Sequence, residues 1–159
     1  MMYNPAYYIE QNLITNDNIK MKFNWHNKTL LIIEDDYVSY LYLKDVLSDT
    51  RIKIKRAVSL KQARQILESG NKIDLLIVNV NIPGENIYKS MLEIKSSNQM
   101  IPVIAITNQY SLDIQTACIE AGCDAYIYSH IDSSQLLLTI DELLDKSIII
   151  SSLMFKDKP

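Results

Sequence analysis

The chain predicts an α/β fold, a parallel sheet of five strands with helices on both faces, from three observations. Short apolar runs recur five times from Thr29 onward, and each is followed by a stretch with helical periodicity. The first, third and fourth runs are almost entirely Val, Ile, Leu or Ala, the composition of parallel strands covered on both faces. Cap residues stand between runs and stripes where helices should start and stop. Five βα units in succession require right-handed crossovers, while the pattern by itself leaves the strand order open.

The first strand is expected at Leu30–Ile33, followed by a helix whose stripe is Tyr42, Leu43, Val46 and Leu47. The second run, Ile52–Ala57, leads to Ser59 as an N-cap, to the stripe Leu60, Ala63, Ile66 and Leu67, and to Gly70 as the stop. Leu75–Val78 is the third strand, with Ile87, Met91 and Ile94 on the helix behind it. Val103–Ile106 is the fourth; Ser111 caps a helix carrying Ile114, Ala117, Cys118 and Ala121, closed by Gly122. Ala125–Tyr128 completes the sheet, and Asp132 caps a last helix built on Leu136, Leu137, Ile140, Leu143 and Leu144.

The two ends break the repeat. Residues 1–27 are rich in Asn, Tyr and Lys and have little periodicity beyond Ile19, Met21 and Phe23 alternating with Lys20 and Lys22. They are expected to form a partly ordered arm ahead of a domain at 28–147. The tail, 148–159, carries Ile148, Ile149, Ile150, Leu153, Met154 and Phe155. So apolar a stretch is expected to prolong the last helix against the core or to meet another chain, which makes a homodimer a fair expectation.

With 48% hydrophobic and 22% charged residues over 159 positions, the chain can bury one core, which excludes a disordered protein. A net charge of -3 argues against nucleic acid as the main partner. No apolar run reaches the roughly 18 residues of a membrane span, and Met1–Glu10 lacks the form of a signal peptide. Cys118 and Cys123 have neither a zinc spacing nor a disulfide framework; core thiols and a cytoplasmic location are expected. His26 and His130 are too isolated for a catalytic pair or a metal site. Three glycines, at 70, 84 and 122, exclude a Gly-rich phosphate loop and with it most nucleotide-binding enzymes of similar architecture.

Open α/β sheets carry function at the C-terminal ends of their strands. Those ends read Glu34-Asp35-Asp36, Asn79-Val80-Asn81, Thr107 and Ser129-His130. Together with Ile101-Pro-Val-Ile-Ala-Ile-Thr107, Ile82-Pro-Gly84 and Ala121-Gly-Cys-Asp-Ala-Tyr126, in order and almost without gaps over residues 28–146, they resemble the receiver domain of two-component response regulators. The resemblance implies a flavodoxin-like (βα)5 sheet of order 2-1-3-4-5. It further implies that Glu34 and Asp35, with the backbone carbonyl of Asn81, hold magnesium, that Thr107 is the switch hydroxyl, and that Tyr126 is the aromatic whose pose follows the switch.

Three departures from the family pattern matter. Asn79 stands where the family has the aspartate that accepts the phosphoryl group, and an amide nitrogen is no nucleophile. Ser129 replaces the lysine that pairs with the phosphoryl oxygens, so a negative and a positive charge are lost together. His130 replaces a proline. Asn86-Ile87 also differs from the usual Asp-Gly. Asp36, Ser129 and His130 are expected around the pocket, across which Asn79 is expected to bond to Asp35 or Ser129; the alternative for Asp36 is to cap the first helix. Tyr37, Tyr40 and Tyr42 are a candidate contact face.

The expected function is therefore a receiver-like protein that is not an enzyme and works by binding a sensor histidine kinase or another regulator. No output domain is expected beyond the tail, nor any membrane or nucleic-acid partner. Magnesium binding is expected to be weak. The alternatives are phosphorylation at a substitute residue such as Asp36 or Ser129, and a small-molecule sensor using the vacated pocket.

Overall fold

The computed structural model describes residues 23–98, 100–129 and 133–154, with side chains of the last helix described as far as Asp145. Five strands, β1 (Thr29–Ile33), β2 (Lys53–Ala57), β3 (Leu75–Asn79), β4 (Val103–Thr107) and β5 (Ala125–Tyr128), pair in parallel in the order β2-β1-β3-β4-β5. Between them run α1 (Tyr37–Val46) with a short 3-10 turn (Ser48–Thr50), α2 (Leu60–Glu68), α3 (Ile87–Ser97) and α4 (Leu112–Glu120); α5 (Ser133–Met154) closes the chain. The strands match the expected runs to within one residue at each end. α5 is continuous to Met154, so its backbone carries on through the first part of the apolar tail.

Successive side chains of a strand point to opposite faces, and that period sorts the core into two layers. Leu30 and Ile32 of β1, Leu75 and Ile77 of β3, and Ile104 and Ile106 of β4 pack with Leu43, Val46 and Leu47 of α1 and with Leu136, Leu137 and Ile140 of α5. Leu31, Ile33, Leu76, Val78, Val103 and Ala105 pack with residues of α2, α3 and α4, among them Leu60, Met91 and Cys118. β1, β3 and β4 lie inside the sheet, which is why their sequences are apolar throughout. β2 is an edge and is correspondingly mixed, with Lys53 exposed.

Phe23 and Trp25, only 4% and 7% exposed, join the layer beneath α1 and α5 and stack on one another. The Trp25 Nε1–H donates to Asp141 Oδ1 of α5 at 3.0 Å. The segment ahead of β1 is thereby tied to the last helix.

Asp36, Ser59 and Ser111 cap α1, α2 and α4 with their side chains, as expected. Asn86 caps α3 by accepting from the Lys89 N–H, which gives a physical reason for Asn at that position. Gly122 ends α4 at φ +86°, a conformation that glycine adopts without strain. Tyr42, placed on the buried stripe from the sequence, is instead 50% exposed, because α1 presents Leu43 and Val46 to the sheet. Asp132 lies outside the described residues.

Candidate functional site

Strand parity and register assemble the site. Ile33 pairs with Val78, so one step further along both strands Glu34 stands beside Asn79 on the α1–α5 face. Ser129 continues that face from β5. Thr107 and Tyr126 have the opposite parity and belong to the layer over α3 and α4, where Ala105 pairs with Tyr126. The residues singled out from the sequence are thus divided between the two faces and meet only at the strand ends.

Asn79 joins the two groups. Its Nδ2 donates to Glu34 Oε1 at 3.1 Å, and its Oδ1 accepts from the Asn81 N–H at 2.9 Å. This corrects the expected bond to Asp35 or Ser129: register sets Glu34, not those residues, beside position 79. The Asp36 N–H also donates to Glu34 Oε1, at 3.0 Å. On the other side the Thr107 hydroxyl donates to Asn81 Oδ1 at 2.9 Å and accepts from the Gln109 N–H at 3.1 Å. The Tyr126 hydroxyl then donates to the Gln109 carbonyl at 3.2 Å. A continuous chain of hydrogen bonds therefore runs from Glu34 through Asn79, Asn81, Thr107 and Gln109 to Tyr126.

Electrostatics follow from burial. Glu34 is 5% exposed, and desolvation pushes its carboxyl above the ordinary glutamate range, against the lowering effect of the Asn79 bond. The neighbouring Asp35 carboxyl raises it further. Asp36 is exposed, and its bonds from Ser39 at the start of α1 hold it below the usual carboxylate range. Asp36 serves the helix and does not line the pocket expected of it.

Above Glu34 lies an open cleft of about 500 Å³. Glu34, Asn79, Thr107 and Ser129 are among its polar lining residues, and Leu43, Ile106, Ile127 and Leu136 among its apolar ones. Tyr42 and Tyr128 stand at its sides. His130 lies outside the described residues.

Arg56 was not singled out from the sequence, yet it holds the acidic corner. Its Nε donates to the Glu34 carbonyl at 3.1 Å and its Nη2 to the Asp35 carbonyl at 2.9 Å. Its guanidinium also stacks on Tyr37 and Tyr40, with centroids 5.3 and 4.7 Å away. The sequence signal was an arginine at the end of an edge strand together with a Tyr-rich helix, and only the fold brings the two together.

A model of the response regulator receiver domain matches residues 30–141. This chain belongs to that family. The receiver is 28% identical over 116 residues to the uncharacterized transcriptional regulatory protein YbdJ of Bacillus subtilis, covering 73% of this chain and 50% of that one. It is 27% identical over 96 residues to the sensor histidine kinase RcsC of Escherichia coli, covering 60% of this chain and 10% of that one. The chain thus spans half or less of the length of these two relatives. Among solved structures, a CheY-like receiver from Methanospirillum hungatei superposes with a TM-score of 0.69 at 22% identity, over 76% of this chain and 95% of that one. A receiver from Clostridium thermocellum gives 0.70 at 21%, over 77% and 98%. The flavodoxin-like fold and its strand order are therefore as expected.

Receivers are in general signalling modules of two-component systems that interact with histidine kinases and other regulators. They generally hold magnesium in the acidic pocket. At Glu34 and Asn79 this receiver has fewer oxygens to spare for that ion. A hard dication calls for several free oxygens, but Glu34 Oε1 already accepts two donors, and Asn79 turns its NH2 toward Glu34 while its oxygen is taken by Asn81. Among the described residues no three His, Cys, Asp or Glu side chains group as metal ligands. No helix among the described residues is long and apolar enough to cross a membrane.

Proposed function

We propose that this protein is a pseudo-receiver: it takes part in two-component or phosphorelay signalling through protein contacts, without phosphorylation at position 79. The observation that carries this reading is the Asn79 side chain, whose nitrogen and oxygen are both spent on the protein. An amide there has no nucleophilic oxygen to offer phosphorus, and Ser129 supplies no cation to offset phosphoryl charge.

The same network supports a held rather than triggered conformation. In this reading Thr107, bonded to Asn81, and Tyr126, bonded to the Gln109 carbonyl, rest in one arrangement. A ligand shifts such an equilibrium only if it distinguishes two states, and the phosphoryl group no longer does so here. Magnesium binding is correspondingly weak. The partner is a sensor histidine kinase or another regulator in the cytoplasm, met on the face of α4, β5 and α5. Exposed apolar side chains support that choice: Tyr110, Leu112 and Ile119 are 78%, 68% and 60% exposed.

Beryllofluoride with magnesium, followed by backbone NMR, tests the proposal, because this phosphoryl mimic needs a carboxylate and a metal to hold it. No saturable shift is expected. A saturable shift reaching Thr107 and Tyr126 would overturn the reading.

A further inference from the structure

The end of α4 brings the two cysteines together, which their spacing in the sequence did not signal. The helix runs past Cys118 to Glu120, and Gly122 at φ +86° then turns the chain back on itself. The Gly122 N–H donates to the Ile119 carbonyl at 2.9 Å, and the Cys123 N–H to the Cys118 carbonyl at 3.1 Å. This pair of bonds is a Schellman ending, which sets the side chains at its two outer positions against each other. Here those side chains are Cys118 and Cys123, and the Cys123 thiol donates to the Cys118 sulfur.

Two features distinguish this contact from an ordinary apolar one at a helix end. The backbone bond between the two residues holds their Cα atoms near the separation of roughly 4.4–6.8 Å that a disulfide spans. The sulfurs also differ in access: Cys118 is fully buried in the layer shared with Tyr126, whereas Cys123 is only partly buried. The Cys123 S–H stabilises a thiolate on Cys118, so the Cys118 thiol is lowered from its ordinary range and the Cys123 thiol raised. A reachable sulfur thus has a proton acceptor directly behind it.

We propose that Cys118 and Cys123 are a redox modification site, closing to a reversible intramolecular disulfide by exchange with a low-molecular-weight disulfide. Cys123 attacks one sulfur of the incoming disulfide, passes its proton to the Cys118 thiolate and expels the first small thiolate. Cys118 then gives up that proton and attacks the Cys123 sulfur of the mixed disulfide, expelling the second. Two protein thiols are oxidised, one small disulfide is reduced, and the two protons leave with the two small thiols. The new bond ties the end of α4 to the loop that enters β5, three residues before Tyr126. The site stands apart from the pseudo-receiver reading, since it asks nothing of phosphorylation or of a protein partner.

The test incubates the folded, reduced, whole protein with excess oxidised glutathione and follows its intact mass after acid quenching. The chain has two cysteines, so the loss of two hydrogens from the monomer has a single assignment. That loss is expected, with backbone NMR shifts at Gly122 and Tyr126 that dithiothreitol reverses. Cys118→Ala removes the second nucleophile and should stop at a stable glutathione adduct. Cys123→Ala leaves only the buried thiol and should form an adduct about tenfold more slowly or less. Free thiols that persist in the unaltered protein would overturn the proposal, as would a glutathione adduct that it retains. So would a disulfide that forms only between two chains or only in urea. A failure to trap the adduct in Cys118→Ala, or an equally fast one in Cys123→Ala, would overturn it too.

Discussion

At position 79 the amide gives one hydrogen bond to Glu34 and takes one from the Asn81 N–H, a pair of contacts that a carboxylate could not both make. Asn79→Asp would lose the donor and set a third carboxyl against Glu34 and Asp35. It should destabilise the fold by about 1–3 kcal/mol in urea unfolding, the cost of an unpaired buried polar group, and magnesium should recover part of the loss. The double change Asn79→Asp with Ser129→Lys should restore a saturable beryllofluoride response, read by NMR at Thr107. Glu34 makes a separate prediction. Burial raises its carboxyl pKa in the folded chain, so the native state binds this proton more readily than the unfolded one. Its contribution to stability is fully present below the ordinary value of 4.5 and is lost as pH rises through the raised one. Glu34→Gln should remove that fall, flattening the dependence of the unfolding midpoint on pH. That position 79 carries an amide and not a carboxylate was legible from one letter of sequence. The partner of Asn79 was not, because Glu34 lies forty-five positions away and only register brings it near.

The elements obey local rules, and most of them were readable. Asp36, Ser59 and Ser111 are N-caps because their side chains accept an N–H three residues on. Asp36→Ala should cost about 1 kcal/mol of stability by chemical denaturation, the usual effect of losing such a cap. Periodicity put Tyr42 on the inner stripe of α1, but the Leu43–Val46 pair sets the buried line and rotates Tyr42 toward the cleft mouth. Asn86 was seen as a departure from the family, and its role emerged only with the start of α3. Arg56 escaped notice for a similar reason: an edge strand offers many positions for a charge, and only the neighbouring loop gives this one its work.

At the scale of the molecule, the segment before β1 and the last helix are joined. Phe23 and Trp25 fill the layer beneath α1 and α5, and Trp25 bonds to Asp141 across the whole length of the domain. Trp25→Ala should cost about 3–5 kcal/mol, as for other buried aromatics. Trp25→Phe should cost less, since it loses mainly the bond to Asp141. Because Trp25 is the one tryptophan of the chain, its fluorescence reports directly whether this segment is docked. Helical and strand periods, cap residues and the chemistry of single side chains are local properties, so the sequence by itself determined the α/β class, the five βα units, the family resemblance and the amide at 79. The tertiary structure decided that Glu34, Asn79 and Ser129 share one face while Thr107 and Tyr126 share the other, that Asn79 couples the two, and that a cleft stands open over a buried carboxylate. Those features depend on the pairing of strands far apart in the chain and on how α1 and α5 pack against them. Such contacts arise only when the sheet closes, and no window of sequence contains them.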